Sequence, residues 1–170
     1  LQAQIARWIG TDEPQSALLL SPPGYGKTTL LREWVRYFSD RGFTAAIADE
    51  RSEIAALADG VPQLAVGRCT DVMEGCSKWQ AAGMLLKTMS PALLALDEIT
   101  APEDAKAVSL CTHCGTAVIA CAHAAGLDDL RQRPIYRELL ALGAFHQAVI
   151  IEKQDGQRVY RMERWEETKC

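Results

Sequence analysis

The stretch Ser21-Pro22-Pro23-Gly24-Tyr25-Gly26-Lys27-Thr28-Thr29 carries glycines, a lysine and hydroxyls at the spacing that cradles phosphate. Glycines let backbone N–H groups converge on phosphate oxygens, and a following helix adds the positive end of its dipole. Lys27 is expected between the β- and γ-phosphates, and the Thr28 hydroxyl on Mg²⁺. Ser21 stands where the strict pattern has its first glycine, and a small residue there can open the loop. A second stretch, Ala92-Leu93-Leu94-Ala95-Leu96-Asp97-Glu98, is an apolar run ending in two acids, the Walker B pattern. There Asp97 is expected in the Mg²⁺ shell, and Glu98 is expected to orient and polarise the attacking water.

These residues need elements to hold them. Residues 16–20 read as a strand into the loop, and 26–39 as a helix out of it. Phe43 to Ala48 reads as a second strand, delivering Asp49-Glu50-Arg51-Ser52-Glu53 at its end, where ligands sit in parallel sheets. Thr116 to Ala122 reads as another buried strand, ending at His123. Residues 1–9, 77–89 and 103–113 read as helices, and Leu127 to Leu142 as one or two, interrupted at Arg133-Pro134. Residues 60–76 show weak periodicity and are expected to form a loop or short hairpin carrying Arg68, Thr70 and Asp71. Ala148 to Ile151 and Arg158 to Met162 read as a final strand pair around Asp155-Gly156. The alternation predicts one α/β domain over 1–170, with a mainly parallel sheet flanked by helices and a C-terminal β-hairpin. A RecA-like P-loop NTPase fold fits this order, with an adenylate-kinase-like fold as the alternative.

The chain has 170 residues and is 48% hydrophobic and 24% charged, enough for one well-cored domain and unlike a disordered chain. The net charge of −4 is not the basic footprint of a nucleic-acid binder. No apolar run reaches membrane-spanning length and no signal peptide is read. Starting at Leu1 with its phosphate loop so near the N-terminus, the chain is expected to be a domain excised from a longer protein. Cys69, Cys76, Cys111, Cys114, Cys121 and Cys170 are expected to be free thiols in a reducing compartment. Cys111 and Cys114 with Cys121 and His123 could be read as zinc ligands. A zinc site shows two clear ligand pairs, however, so buried reduced cysteine is favoured.

Beyond the two nucleotide motifs, the stretches IADERSEIAA, DGVPQLAVGRCTDVMEGCSK, MLLKTMSPALLALDEIT and ACAHA resemble the sporulation stage III protein AA family. That family is similar in turn to type II and type IV secretion and pilus ATPases. The resemblance covers about residues 16–150. It implies a RecA-like, ring-forming, hexameric ATPase that binds ATP and Mg²⁺. Such an ATPase would work at the cytoplasmic face of a membrane in the mother cell of a spore former, energising a secretion-like channel, with a further domain before the ATPase core. By position, Asp49, Glu50 and Arg51 fall on the acidic box and His123 on the histidine box. Glu50 is expected to assist Glu98, and His123 to report the γ-phosphate to a neighbouring subunit. The family reads Gly-x-Arg-Thr-Asp-Val where this chain has Gly67-Arg68-Cys69-Thr70-Asp71-Val72, so Arg68 stands one place early as the candidate nucleotide contact.

Three other functions compete. A RecA-like nucleic-acid motor or loader calls for basic and aromatic residues along a channel, and the acidic balance and 6% aromatic content oppose it. A small-molecule kinase calls for an arginine-rich lid that the sequence does not offer. A nucleotide-binding scaffold with little turnover is kept open by Cys69.

Overall fold

Runs such as ALLL and AAIA hold no charge and can only be buried on both faces, which requires helices on both sides of a sheet. The computed structural model describes residues 1–10 and 12–165. Cys170 and Thr11, the first residue of the polar loop to Gln15, lie outside the described residues. The sheet is built from β1 (Ala17–Leu20), β2 (Ala45–Asp49), β5 (Thr70–Glu74), β6 (Leu93–Glu98), β7 (Ala117–Ala122), β8 (Gln147–Gln154) and β9 (Gln157–Arg164), with a separate small hairpin of β3 (Leu57–Ala58) and β4 (Val61–Pro62). Its order is β5-β2-β6-β7-β1-β8-β9. All neighbours are parallel except the β8–β9 hairpin.

Successive strand residues point to opposite faces, and the core divides accordingly. Ala17, Leu19, Ile47, Ile119 and Val149 pack with Leu30, Leu31, Trp34 and Phe38 of α2 (Lys27–Ser39) and Ile5 and Ile9 of α1 (Gln2–Ile9). Leu18, Leu20, Leu94, Leu96 and Ile150 pack with α3 (Lys78–Met89), α4 (Pro102–His113), α5 (Leu127–Gln132) and α6 (Pro134–Ala141). Cys111 lies in the second layer and Cys121 in the first, so the sheet separates two of the cysteines that could be read as zinc ligands. Burial pushes the Cys111 thiol up to about 12.

The expected elements form, with two corrections. Segment 60–76 is more than a loop or hairpin. Its small hairpin begins earlier, at Leu57, and Thr70–Glu74 forms the edge strand β5, paired in parallel with β2. That strand carries two apolar residues among five and is half-exposed along its length, so no burial pattern marks it. The final hairpin is also longer than its apolar part. β8 stays beside β1 only as far as Leu20↔Ile150, and Ile151 to Gln154 run on past the end of the neighbouring strand. At 3.3 Å or so per residue, the hairpin overhangs the phosphate loop by roughly 13 Å. Its root is anchored by Tyr160 against Trp8, with ring centroids 5.3 Å apart.

The edge strand is seated through Gly67 and Ser39. The Ser39 hydroxyl accepts from the Cys69 N–H at 2.8 Å. Gly67 has φ +95°, and a Cβ there would stand 2.4 Å from Ser39 Oγ. Gly67→Ala is therefore expected to destabilise the protein by about 2 kcal/mol or more, and Ser39→Ala by about 1 kcal/mol, read as denaturation midpoints. An unchanged midpoint in Gly67→Ala would contradict this seating.

Candidate nucleotide-binding cleft

Four parallel strands, β1, β2, β6 and β7, end on one side of the sheet, where ligands bind in open α/β folds. After β1 the chain turns through Ser21 to Gly26 and enters α2 at Lys27. Gly24 and Gly26 take φ of +77° and +93°, left-handed values that favour glycine. A cleft of about 400 Å³ opens over this loop, lined by Pro23, Gly24, Gly26, Lys27, Thr28 and Thr29 with Arg51, Glu53, Asp97, Glu98, Cys121, His123 and Arg158.

Lys27 is 7% exposed, and its ammonium is surrounded by neutral acceptors. It donates to the Ser21 carbonyl at 2.9 Å, to the Ser21 hydroxyl and Pro22 carbonyl at 3.2 Å, and meets His123 Nδ1 at 2.9 Å. No carboxylate lies within ion-pair distance of it among the described residues. Burial lowers its pKa below the ordinary lysine value, and the more distant charges of Cys121, Glu98 and Asp97 oppose that only in part.

The imidazole joins this lysine to the second acid of the β6 stretch. His123 Nε2 lies 2.8 Å from Glu98 Oε2. An ammonium can only donate, so Nδ1 accepts from Lys27 and Nε2 carries the hydrogen that goes to Glu98. In this tautomer the 3.3 Å approach of Nδ1 to the Ser21 carbonyl is a contact between two acceptors. Lys27, His123 and Glu98 thus form one continuous chain across the cleft.

Asp97 owes its place to a register break. Leu96 pairs with Ala120 and Glu98 with Cys121, which leaves Asp97 as the extra residue of a bulge. Bulges re-aim side chains beside sites. Asp97 and Thr28 both line the cleft, and neither side chain makes a hydrogen bond or ion pair among the described residues. Among the described residues no three His, Cys, Asp or Glu side chains converge as a metal cage. Mg²⁺ does not require one, because it keeps waters and substrate phosphates as ligands beside one or two protein groups. Thr28 and Asp97 fit that requirement.

The acidic stretch after β2 is folded around Asp49. Its buried carboxylate accepts from the N–H groups of Glu53, Ile54 and Ala55 at 2.9–3.0 Å. Those bonds hold a turn in which Ser52 and Ala56 take φ of 55° and 50°. Such strain persists only where its surroundings fix it, and here Arg32 Nε adds a bond to the Ile54 carbonyl.

Two expected site residues are not brought to the cleft. The Glu50 carboxylate turns to Lys78 Nζ at 2.7 Å, and Lys78 in turn lies 3.5 Å from Asp104. Asp104 accepts from the N–H groups of Thr100 and Ala101, so Lys78 braces the turn after β2 against the turn after β6. Glu50 therefore stands as a brace beside the cleft and does not meet Glu98. Arg68 is exposed on the approach to the edge strand, and Cys69, in the family's arginine slot, is tied by its N–H to Ser39. Tyr25 and Pro22 belong to the loop but are not among the cleft lining, while Pro22 gives its carbonyl to Lys27. Arg158 lines the cleft without having been expected there. Its one sequence signal is its place just after the Asp155-Gly156 turn.

The fold is that of the P-loop secretion ATPases. The VirB11 ATPase of the Brucella suis type IV secretion system superposes with a TM-score of 0.68 at 15% identity, over 95% of this chain and 51% of that one. The pilus retraction motor PilT, solved with bound ADP, gives 0.66 at 14% identity, over 95% and 50%. The Legionella pneumophila ATPase DotB gives 0.65 at 16% identity, over 96% and 48%. The chain belongs to the sporulation stage III protein AA family, whose model matches residues 3–162. It is 35% identical over 154 residues to stage III sporulation protein AA of Bacillus subtilis, covering 88% of this chain and 48% of that protein. It is also 30% identical over 132 residues to the protein ycf45 of Porphyra purpurea, 76% of this chain and 23% of that one. The chain thus spans about half the length of its sporulation relative or less of the others. No helix among the described residues is long and apolar enough to cross a membrane.

If Lys78 braces the two turns, Lys78→Met leaves the buried Asp104 charge without its cation. The variant is expected to lose about 2–3 kcal/mol by urea denaturation. A variant as stable as the parent would show that Glu50 and Asp104 are held by other means.

Proposed function

We propose that this chain is the Mg²⁺-dependent, ATP-hydrolysing motor domain of a ring-forming, secretion-type ATPase that energises a transmembrane channel during sporulation. One observation carries the nucleotide part of this reading. A buried lysine ammonium at the entrance to a helix, beneath two left-handed glycines, has only neutral acceptors around it. A polyphosphate is the partner that such a site lacks. The family and the likeness to secretion ATPases support the motor, the ring and its work on a membrane complex.

In this reading Lys27 leaves the Ser21 and Pro22 carbonyls for the β- and γ-phosphate oxygens, and the loop N–H groups take the remaining phosphate oxygens. Thr28 and Asp97 would hold Mg²⁺, directly or through water, where it would neutralise charge on the phosphates. As Lys27 departs, the ring hydrogen of His123 moves through water from Nε2 to Nδ1, which then donates to the γ-phosphate. Nε2 no longer donates to Glu98, whose carboxylate becomes available to orient a water for in-line attack. Phosphoryl transfer needs positioning and electrostatics above all, and these groups supply both. Self-association into a hexamer and docking on channel proteins would couple the His123–Glu98 state to neighbouring subunits.

Glu98→Gln keeps the shape of the side chain and removes its charge. It is expected to bind MgATP as the parent does and to hydrolyse it at least about a hundredfold more slowly, and excess EDTA is expected to stop turnover in the parent. Calorimetric titration gives the binding, phosphate release measured against protein concentration gives the two rates and the effect of EDTA, and a rise steeper than linear would support assembly. Undiminished turnover in Glu98→Gln would remove Glu98 from the reaction.

A further inference from the structure

The overhanging hairpin carries two cations that the reading so far leaves unused. Lys153 and Arg158 are directly opposite in the β8–β9 register, so both side chains stand on one face of the hairpin. Like charges in that position repel, and neither cation has an acidic partner among the described residues. Arg161, three rungs nearer the hairpin's root, does have carboxylates, in Glu152 and Glu163. The hairpin thus pairs Arg161 with carboxylates and ties Arg164 to the Trp8 and Ile9 carbonyls, and leaves the two over the loop without counter-ions among the described residues.

Both face the phosphate loop. The Lys153 ammonium lies 4.5 Å from the centroid of the Tyr25 ring. The Arg158 guanidinium lies flat over Gly26, with its central carbon 2.9 Å and both terminal nitrogens 3.1 Å from the position a Cβ there would take. Gly26 is therefore required twice, for its φ of +93° and to admit this side chain. Arg158 also lines the cleft opposite the loop glycines. A planar fork of donors with no carboxylate, held against a phosphate cradle, is suited to bidentate contact with phosphate oxygens.

We propose that Arg158 and Lys153 form a cationic clamp on the polyphosphate of the bound nucleotide, Arg158 donating to phosphate oxygens and Lys153 supporting it electrostatically from its seat on Tyr25. The inference rests on the nucleotide reading above and adds to it a contact from the same subunit, outside the loop and the two acids.

Calorimetric titration with MgATP and, separately, with inorganic tripolyphosphate tests it on the parent, Arg158→Gln, Arg158→Lys and Lys27→Ala. Arg158 is exposed, so thermal melts of its variants are expected to match the parent. Arg158→Gln is expected to weaken both ligands about tenfold or more, and Arg158→Lys to recover part of the loss. Equal binding of both ligands by parent and Arg158→Gln, with Lys27→Ala impaired, overturns the clamp and leaves the nucleotide reading standing. Loss of MgATP affinity without loss of tripolyphosphate affinity also overturns it, because the contact would then be to base or ribose. A parent that binds neither ligand overturns the nucleotide reading and the clamp together.

Discussion

The structure around the cleft depends on one constraint, a lysine ammonium held out of water with no carboxylate of the described residues in ion-pair contact with it. Lys27 costs stability where it stands, as its lowered pKa records, and everything near it offsets that cost with neutral acceptors. The Ser21 and Pro22 carbonyls can face it because the chain turns back through two left-handed glycines. His123 can face it because β7 lies beside β1 and ends level with it, at Leu20↔Ala122. Each of these acceptors is neutral, so the three donors of the ammonium are filled while its charge has no ion pair among the described residues.

The remainder divides into parts that face the cleft and parts that keep it in shape. Asp97 and Glu98 are turned into it by a bulge, an irregularity that costs pairing and gains direction. Asp49, Glu50, Lys78 and Asp104 form a framework in which each carboxylate is held by Lys78, by backbone N–H groups or by both, linking the turns after β2 and β6. The DERSEI stretch and the lysine after Gly75-Cys76-Ser77, which carry the family resemblance, contribute Asp49, Glu50 and Lys78 to that framework. In physical terms these residues hold two strand-end turns at a fixed separation, and the general nucleotide motifs supply the chemistry.

The fold and the centre of the cleft were legible in the sequence because their signals are local. Glycine, lysine and hydroxyl spacing fixes a loop within a few residues, and uncharged runs announce strands buried on both sides. The edge strand at Thr70–Glu74 was not legible, since its pairing with β2 is a matter of backbone alone and its side chains are half in water. Glu50 reads as a cleft acid by its position after a strand, and only the fold brings Lys78, 28 residues away, within 2.7 Å of it. Arg158 was missed because its place depends on how far the hairpin extends past Leu20, which no short motif encodes.

The central claim is that the buried ammonium at Lys27, held by neutral acceptors alone among the described residues, is a polyphosphate site. A ligand that binds only the folded chain raises its melting temperature with ligand concentration, by an amount set by its dissociation constant. The most direct measurement is therefore the melting temperature of the parent and of Lys27→Ala across a MgATP series. The account predicts a rise in the parent that, above the dissociation constant, continues with the logarithm of concentration, and none in Lys27→Ala. Melting temperatures that stay level in the parent, or that rise equally in both proteins, would contradict it.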